Sequence, residues 1–136
     1  MAAGCFDLLH YGHLRYLEEA KKLAGEGGEL IVVVARDATI LKRKGRPPVM
    51  GEEHRRELVE ALKPVDRAFL GSVDFDTKAV LESIAPNVIA LGYDQEDLSD
   101  LLRSGGFRGE IVRLGKYGDI SSSKIRALLN SAAKLG

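Results

Sequence analysis

The stretch GCFDLLHYGHLRYLEEAKK, residues 4–22, decides the fold, because three local signals succeed one another in it without a gap. Gly4 permits a tight turn directly after a short apolar run. Leu8 and Leu9 then give the loop an apolar anchor. From Gly12 onward Leu14, Leu17, Ala20 and Ala24 recur at helical spacing, and Gly25 to Gly28 stop the helix. Next comes ELIVVVA, residues 29–35, a continuous β-branched run of the kind found in strands buried on both faces of a parallel sheet.

Further along the chain, RAFL at residues 67–70, NVIAL at 87–91 and EIVRL at 110–114 are shorter runs of the same kind. Helical stretches separate them. Residues 52–62 place Leu58, Ala61 and Leu62 on one side, with Pro64 beyond the end. Residues 77–84 stop before Pro86, and residues 96–103 end at Gly105 and Gly106. Residues 122–135 offer Ile125, Leu128, Leu129 and Ala132 to a core. Alternating strands and helices imply right-handed crossovers and a single-domain, Rossmann-like, three-layer α/β/α sandwich around a mostly parallel five-stranded sheet. Only Met1, Ala2 and Ala3 precede Gly4, so the first strand is either very short or continues from residues before Met1.

Size and composition narrow the function. At 136 residues the chain is of single-domain length, with 45% hydrophobic and 29% charged residues, the profile of a globular protein. Twenty Lys and Arg balance twenty Asp and Glu. That neutrality argues against a generic nucleic-acid binder, which needs excess positive charge. With no Trp and only four Phe and four Tyr, an aromatic platform for stacked bases is not expected. The single cysteine, Cys5, excludes an internal disulfide, and no Cys/His cluster has zinc-finger spacing. No apolar run approaches the roughly 20 residues of a membrane span, and a cytoplasmic location is expected.

The residues that carry chemistry gather at the first helix. His10 and His13 straddle Gly12 where the helix begins. A helix N-terminus attracts anions through its unpaired N–H groups and the positive end of its dipole. Two imidazoles three residues apart can converge there on one oxyanion, and Gly12 would let a phosphate approach the backbone. The same pair also suits exposed surface histidines, a weak metal pair, or one satisfied core group. Near the C-terminus, Ser121, Ser122 and Ser123 open the last helix, with Lys124 and Arg126 following. They form either a helix cap or a second phosphate cradle.

Taken together, the His-x-Gly-His motif and ISSSKIR at residues 120–126 resemble the HxGH nucleotidyltransferase superfamily in its cytidylyltransferase-like branch. The resemblance covers nearly the whole chain, residues 1–136, and is strongest to the archaeal-type FAD synthases through RKGRPP, EALKPVD and ALGYDQ. It implies transfer of AMP from ATP to FMN with release of pyrophosphate and a divalent cation such as Mg2+ accompanying ATP. A homodimer and no nucleic-acid or membrane partner are implied as well.

Carried over by residue, the resemblance makes His10, His13, Lys44 and Arg126 catalytic. It assigns Cys5, Phe6, Gly12, His13, Gly92, Asp94, Tyr117, Ser121, Ser122 and Ser123 to the nucleotide. Arg55 matches the helix arginine of the family. Lys42, Arg43 and Arg46 are expected in a solvated loop, and Asp94 serves the ribose or a metal unless Gly92 to Asp94 is only a strand-ending turn. No metal site fixed by the protein alone is expected. The alternatives are glycerol-3-phosphate cytidylyltransferase, whose RTEGIS is here KYGDIS, placing Lys116 at an arginine position, and a non-catalytic nucleotide-binding module. A fragment related to aminoacyl-tRNA synthetases ranks last, since no basic face exists to receive RNA.

Overall fold

The computed structural model describes residues 1–74, 76–118 and 121–135, with side chains through residue 133. Among the described residues eleven elements follow one another, strands alternating with helices except where two helices, residues 37–44 and 52–60, are consecutive. They are β1 (Ala2–Gly4), α1 (Tyr11–Ala24), β2 (Ile31–Val34), α2 (Asp37–Lys44), α3 (Glu52–Glu60), β3 (Arg67–Leu70), α4 (Thr77–Ile84), β4 (Val88–Leu91), α5 (Glu96–Ser104), β5 (Glu110–Arg113) and α6 (Ser122–Leu135). The five strands form one sheet in the order β3-β2-β1-β4-β5, and every pairing is parallel. This is a Rossmann-like α/β fold.

Alternating side chains of the strands feed two cores. On one side Val32, Val34 and Ala90 meet Tyr16, Leu17 and Ala20 of α1 and Val59 of α3. On the other, Ile89 and Leu91 meet Leu81 of α4, Leu102 of α5 and Phe107. The three-residue β1 is held centrally by register, with Ala2, Ala3 and Gly4 opposite Val32, Val33 and Val34 and Ala2 also opposite Ala90. Strand order reverses between β1 and β4. Ligands of such sheets bind at that reversal, beyond the carboxyl ends of the strands.

Three expectations need correction. Helix α3 ends at Glu60 and buries Arg55 and Val59, while Leu58 and Ala61 of the expected apolar side are exposed. Residues 37–44 form a helix, so Lys42, Arg43 and Lys44 ride on its last turn and only Arg46 lies in the loop. The apolar side of α6 does not reach a core along its length: Leu128 and Leu129 are 66% and 61% exposed, and Ala132 is exposed too. No helix among the described residues is long and apolar enough to cross a membrane.

Candidate active site

The loop after β1 turns sharply at Phe6, whose φ of 52° lies in the left-handed region. Such a conformation is strained for a residue with a side chain, and burial of the ring holds it. Phe6 is 2% exposed. A Cβ on Gly4 would come within 2.9 Å of that ring, which is why the strand ends in glycine. The ring also lies 5.4 Å from the imidazole of His13, forming the floor on which the histidine rests.

His10 is the N-cap of α1. Its Nδ1 accepts the N–H of Gly12 at 3.0 Å, and Nδ1 of His13 accepts the N–H of His10 at 3.2 Å. A capping box, normally built from a hydroxyl and a carboxyl side chain three residues apart, is here built from two imidazoles. The ring centroids are 3.9 Å apart and the planes tilt by 34°. Because each Nδ1 accepts a backbone proton, a neutral ring must carry its own proton on Nε2. The neutral form is favoured: burial lowers the pKa of His10 below its usual value. Burial, then His10, then Lys44 push His13 down from 6.5 to about 4. The result is a pair of adjacent, neutral Nε2–H donors.

Gly12 contributes space. Its N–H is engaged by His10, and a Cβ there would sit 2.8 Å from Cε1 of His10 and 3.1 Å from the carbonyl oxygen of Tyr117. Tyr117 is half-buried beneath the Arg15 guanidinium, 5.7 Å from the ring centroid.

Lys44 ends α2, where Gly45 adopts the left-handed conformation and returns its N–H to Leu41. Three cations in that last turn face the negative end of the helix dipole. Lys44 is exposed, and its charge lowers the His13 pKa after burial and His10 have done so. The carboxyl ends of β4 and β5 supply the other wall. Gly92 donates to Oε1 of Gln95 at 2.8 Å, and Nε2 of Gln95 donates to the Ala3 carbonyl at 2.9 Å. Gln95 thereby fastens β4 to β1 at the reversal. Asp94 is exposed in the same turn, and Tyr93 carries the Lys116 ammonium 5.6 Å from its ring centroid.

The serine motif divides its labour. Oγ of Ser121 accepts the N–H of Lys124 at 3.1 Å, as a cap does. Ser122 donates to the Leu8 carbonyl at 3.0 Å, tying α6 to the histidine-bearing loop. Ser123 is exposed. Arg126 pairs with Asp7. Ile120, which opens the motif, and Asp119 before it lie outside the described residues.

Asp7 and Glu52 escaped the sequence, and Arg55, matched only to the family's helix arginine, gave no sign there of its burial. Asp7, 4% exposed, accepts the N–H groups of Val49 and Met50, each at 3.0 Å. Arg55 is fully buried. It donates to the carbonyls of Met50 (2.8 Å), Cys5 (2.8 Å) and Ala35 (2.6 Å), and to Oδ1 of Asp37 (2.7 Å). Glu52 caps α2 through the N–H of Asp37 and pairs with Arg36 at 2.9 Å. Charged residues that are buried and fully bonded have no spacing signature, because their partners are distant in sequence.

Two hollows of about 360 and 350 Å3 lie elsewhere, one beside Leu81, Pro86 and Phe107 and one beside Met1, Leu30 and Arg67. Neither includes a candidate residue, so chemistry rather than concavity locates the site. Among the described residues no group of three or more His, Cys, Asp or Glu could hold a metal.

Relatives share this chain over most of its length. It is 50% identical over 129 residues to a FAD synthase of Korarchaeum cryptofilum, covering 92% of this chain and 86% of that one. A FAD synthase of Methanothermobacter marburgensis is 49% identical over 121 residues, 86% of this chain and 74% of that one. The crystal structure of a lipopolysaccharide core biosynthesis protein from Thermoplasma volcanium GSS1 superposes with a TM-score of 0.75 at 43% identity, covering 87% of this chain and 96% of that one. Residues 1–128, which include both histidines and Arg126, match the cytidylyltransferase-like family model. With the paired imidazoles, the parallel sheet and these likenesses in agreement, the chain belongs to the cytidylyltransferase-like family.

Proposed function

We propose that a phosphate oxygen of FMN attacks the α-phosphorus of ATP at this site. A new P–O bond forms, the bond to the β-phosphate oxygen breaks, and FAD and pyrophosphate leave. The chain is a nucleotidyltransferase that makes FAD from FMN and ATP. The nucleophile is already an anion, so no strong general base is needed. The obstacle is electrostatic, since two polyanions must meet while charge builds on the α-phosphoryl oxygens.

The observation that carries this reading is the pair of neutral imidazoles, their Nδ1 atoms pinned by backbone N–H groups and their rings 3.9 Å apart. Their Nε2–H groups are preorganised donors for the α-phosphoryl oxygens. Lys44, at the end of α2, takes the triphosphate. Ser121, Ser123 and the free edge of Arg126 take the β- and γ-phosphates, while Ser122 keeps α6 against the loop. Cys5, Phe6, Gly12, Gly92, Asp94 and Tyr117 shape the nucleotide pocket around the β1/β4 reversal.

A divalent cation, Mg2+ for example, enters with ATP. Lone exposed carboxylates such as Asp94 fit a cation held chiefly by phosphate oxygens and water. When bound, it neutralises charge on the phosphates. A cytoplasmic location and a homodimer belong to the same reading; the free Cys5 suits a reducing compartment.

Incubation with FMN, ATP and Mg2+, followed for pyrophosphate and FAD, tests the proposal, with CTP, glycerol 3-phosphate and pantetheine phosphate in parallel. FAD formation from ATP is the expected result. Pyrophosphate only with CTP and glycerol 3-phosphate would reject the acceptor and the base. ATP binding without turnover on any acceptor would leave a nucleotide-binding module.

A further inference from the structure

Asp7 is the polar junction of three segments, and none of the roles above uses it. One carboxylate oxygen accepts the Met50 N–H, and the other accepts the Val49 N–H and pairs with Arg126. Residues 49 and 50 belong to the loop that begins after Lys44 and Gly45, the loop that leaves the triphosphate lysine. Arg126 belongs to α6. Asp7 itself lies three residues before His10 on the histidine-bearing loop. A 4% exposed carboxylate is costly to desolvate, and three donors compensate it.

The attachment of α6 makes this junction consequential. Its outward residues Leu128 and Leu129 are 66% and 61% exposed, so that side contributes little burial. Near its start, the helix is fastened by Ser122 to the Leu8 carbonyl and by Arg126 to Asp7. Both ties end on adjacent residues of the same loop. The Asp7 carboxylate therefore shares its charge between α6 and the 49–50 backbone. Arg126 has five N–H donors in a planar fork, and pairing through Nη2 leaves others for phosphate oxygens.

We propose that Asp7 is a positioning residue for nucleotidyl transfer. Acting through Arg126 and the N–H groups of Val49 and Met50, it sets α6 and the loop after Lys44 in register with the histidines, so that both triphosphate grips are aligned before ATP arrives. This inference rests on the proposed site, and its effect falls on ATP rather than on FMN.

The test compares D7N and R126M with the unaltered protein, using steady-state kinetics below the unfolding transition and amide exchange of the peptide spanning residues 45–51. D7N is near-isosteric but cannot satisfy the three donors with the same charge. It should raise KM for ATP by about 10–100-fold while KM for FMN stays within about twofold. R126M leaves Asp7 its two backbone partners, and serves if D7N fails to fold. Faster exchange at Val49 and Met50 in R126M is expected, because the carboxylate loses the partner that fixes its orientation. R126K should restore much of that protection. A drop in kcat alone with both KM values unchanged would reduce Asp7 to a stabiliser of the fold and overturn the proposal. So would unaltered exchange at 49–50 in R126M. If His13→Ala remains active while D7N loses ATP affinity, the histidine reading fails and the junction stands.

Discussion

Nδ1 of His13 accepts the backbone N–H of His10 at 3.2 Å, so the second histidine of the motif holds the first in place. His10 answers by capping Gly12 at 3.0 Å. The spacing therefore does two jobs: it closes the helix start with the Nδ1 atoms and leaves the Nε2–H groups for a ligand. These jobs separate in His10→Asn. Asparagine is among the best N-cap residues, so the melting temperature should change by only a few degrees, whereas the lost Nε2–H donor should cut turnover by about 10²–10³. Thermal unfolding and pyrophosphate release on the same preparation check this. Turnover within about threefold of the original would reject His10 as an oxyanion donor.

His13 should titrate far below an ordinary histidine, because burial, His10 and Lys44 all push its pKa down, to about 4. Between about 4 and 6.5 the unfolded chain holds a proton that the folded chain refuses. The contribution to stability is fully present above 6.5 and is lost as pH falls toward 4, at most of order 3 kcal/mol. Proton NMR of the His13 ring should place the midpoint near 4 in the free protein. Added ATP should raise it, since phosphate oxygens favour the cation. A midpoint near 6.5 would show that the ring is not desolvated.

Parallel strands were legible because burial on both faces writes them as unbroken apolar runs, as in β2 and β4. RAFL at residues 67–70 is β3 without adjustment, although Arg67 and Phe69 of this edge strand are exposed. Helix α2 was missed for the opposite reason. It is eight residues long and buries only Ile40, so a basic run masked it. Asp37 at its start and Gly45 at its end were the available signals. Leu128 and Leu129 show another limit: periodicity identifies the apolar side of a helix without saying whether anything covers it. The histidine spacing was legible as a motif, but that the same two rings cap the helix was not, because a capping box is usually made of other residues. Asp7 and Gln95 act across 42 and 92 residues of sequence, where no local pattern reaches.

Gly12→Ala sets helix propensity against geometry. Alanine is the better helix former by about 1 kcal/mol. Its Cβ would nevertheless sit 2.8 Å from Cε1 of His10 and 3.1 Å from the Tyr117 carbonyl oxygen, contacts that displace the ring or the 117 backbone. The variant should stay folded and lose at least about tenfold in kcat/KM, since an ångström of misplacement at a reacting centre costs this much or more. Circular dichroism with kinetics distinguishes this from an ordinary surface change. Activity equal to the parent would mean that the ring has room that the geometry denies.

Lys44 is exposed at the end of α2, and its charge is one of the causes that lower the His13 pKa. Lys44→Ala should leave stability within about 0.5 kcal/mol, as for surface substitutions generally. It should also weaken the dependence of rate on ATP, raising KM for ATP by about tenfold or more, the loss of one charge-assisted phosphate contact. Rate measurements over an ATP series at fixed FMN read this directly. An unchanged KM for ATP would remove the lysine from the triphosphate.

Arg55 is the most demanding position in the structure. Its side chain is fully buried, and its donors satisfy the carbonyls of Met50, Cys5 and Ala35 together with Asp37. A lysine keeps the charge but has one nitrogen to reach four acceptors that surround a planar fork. Arg55→Lys should therefore leave buried carbonyls unpaired and cost about 3 kcal/mol or more, a fall of roughly 10 °C in melting temperature for a chain of this size. Because two of those carbonyls lie on the loop bearing Cys5 and on the 49–50 loop, activity should decline before global unfolding, with amide exchange rising first in those segments. Unfolding in a single step at the parent temperature would show that the arginine's bonds are individually dispensable.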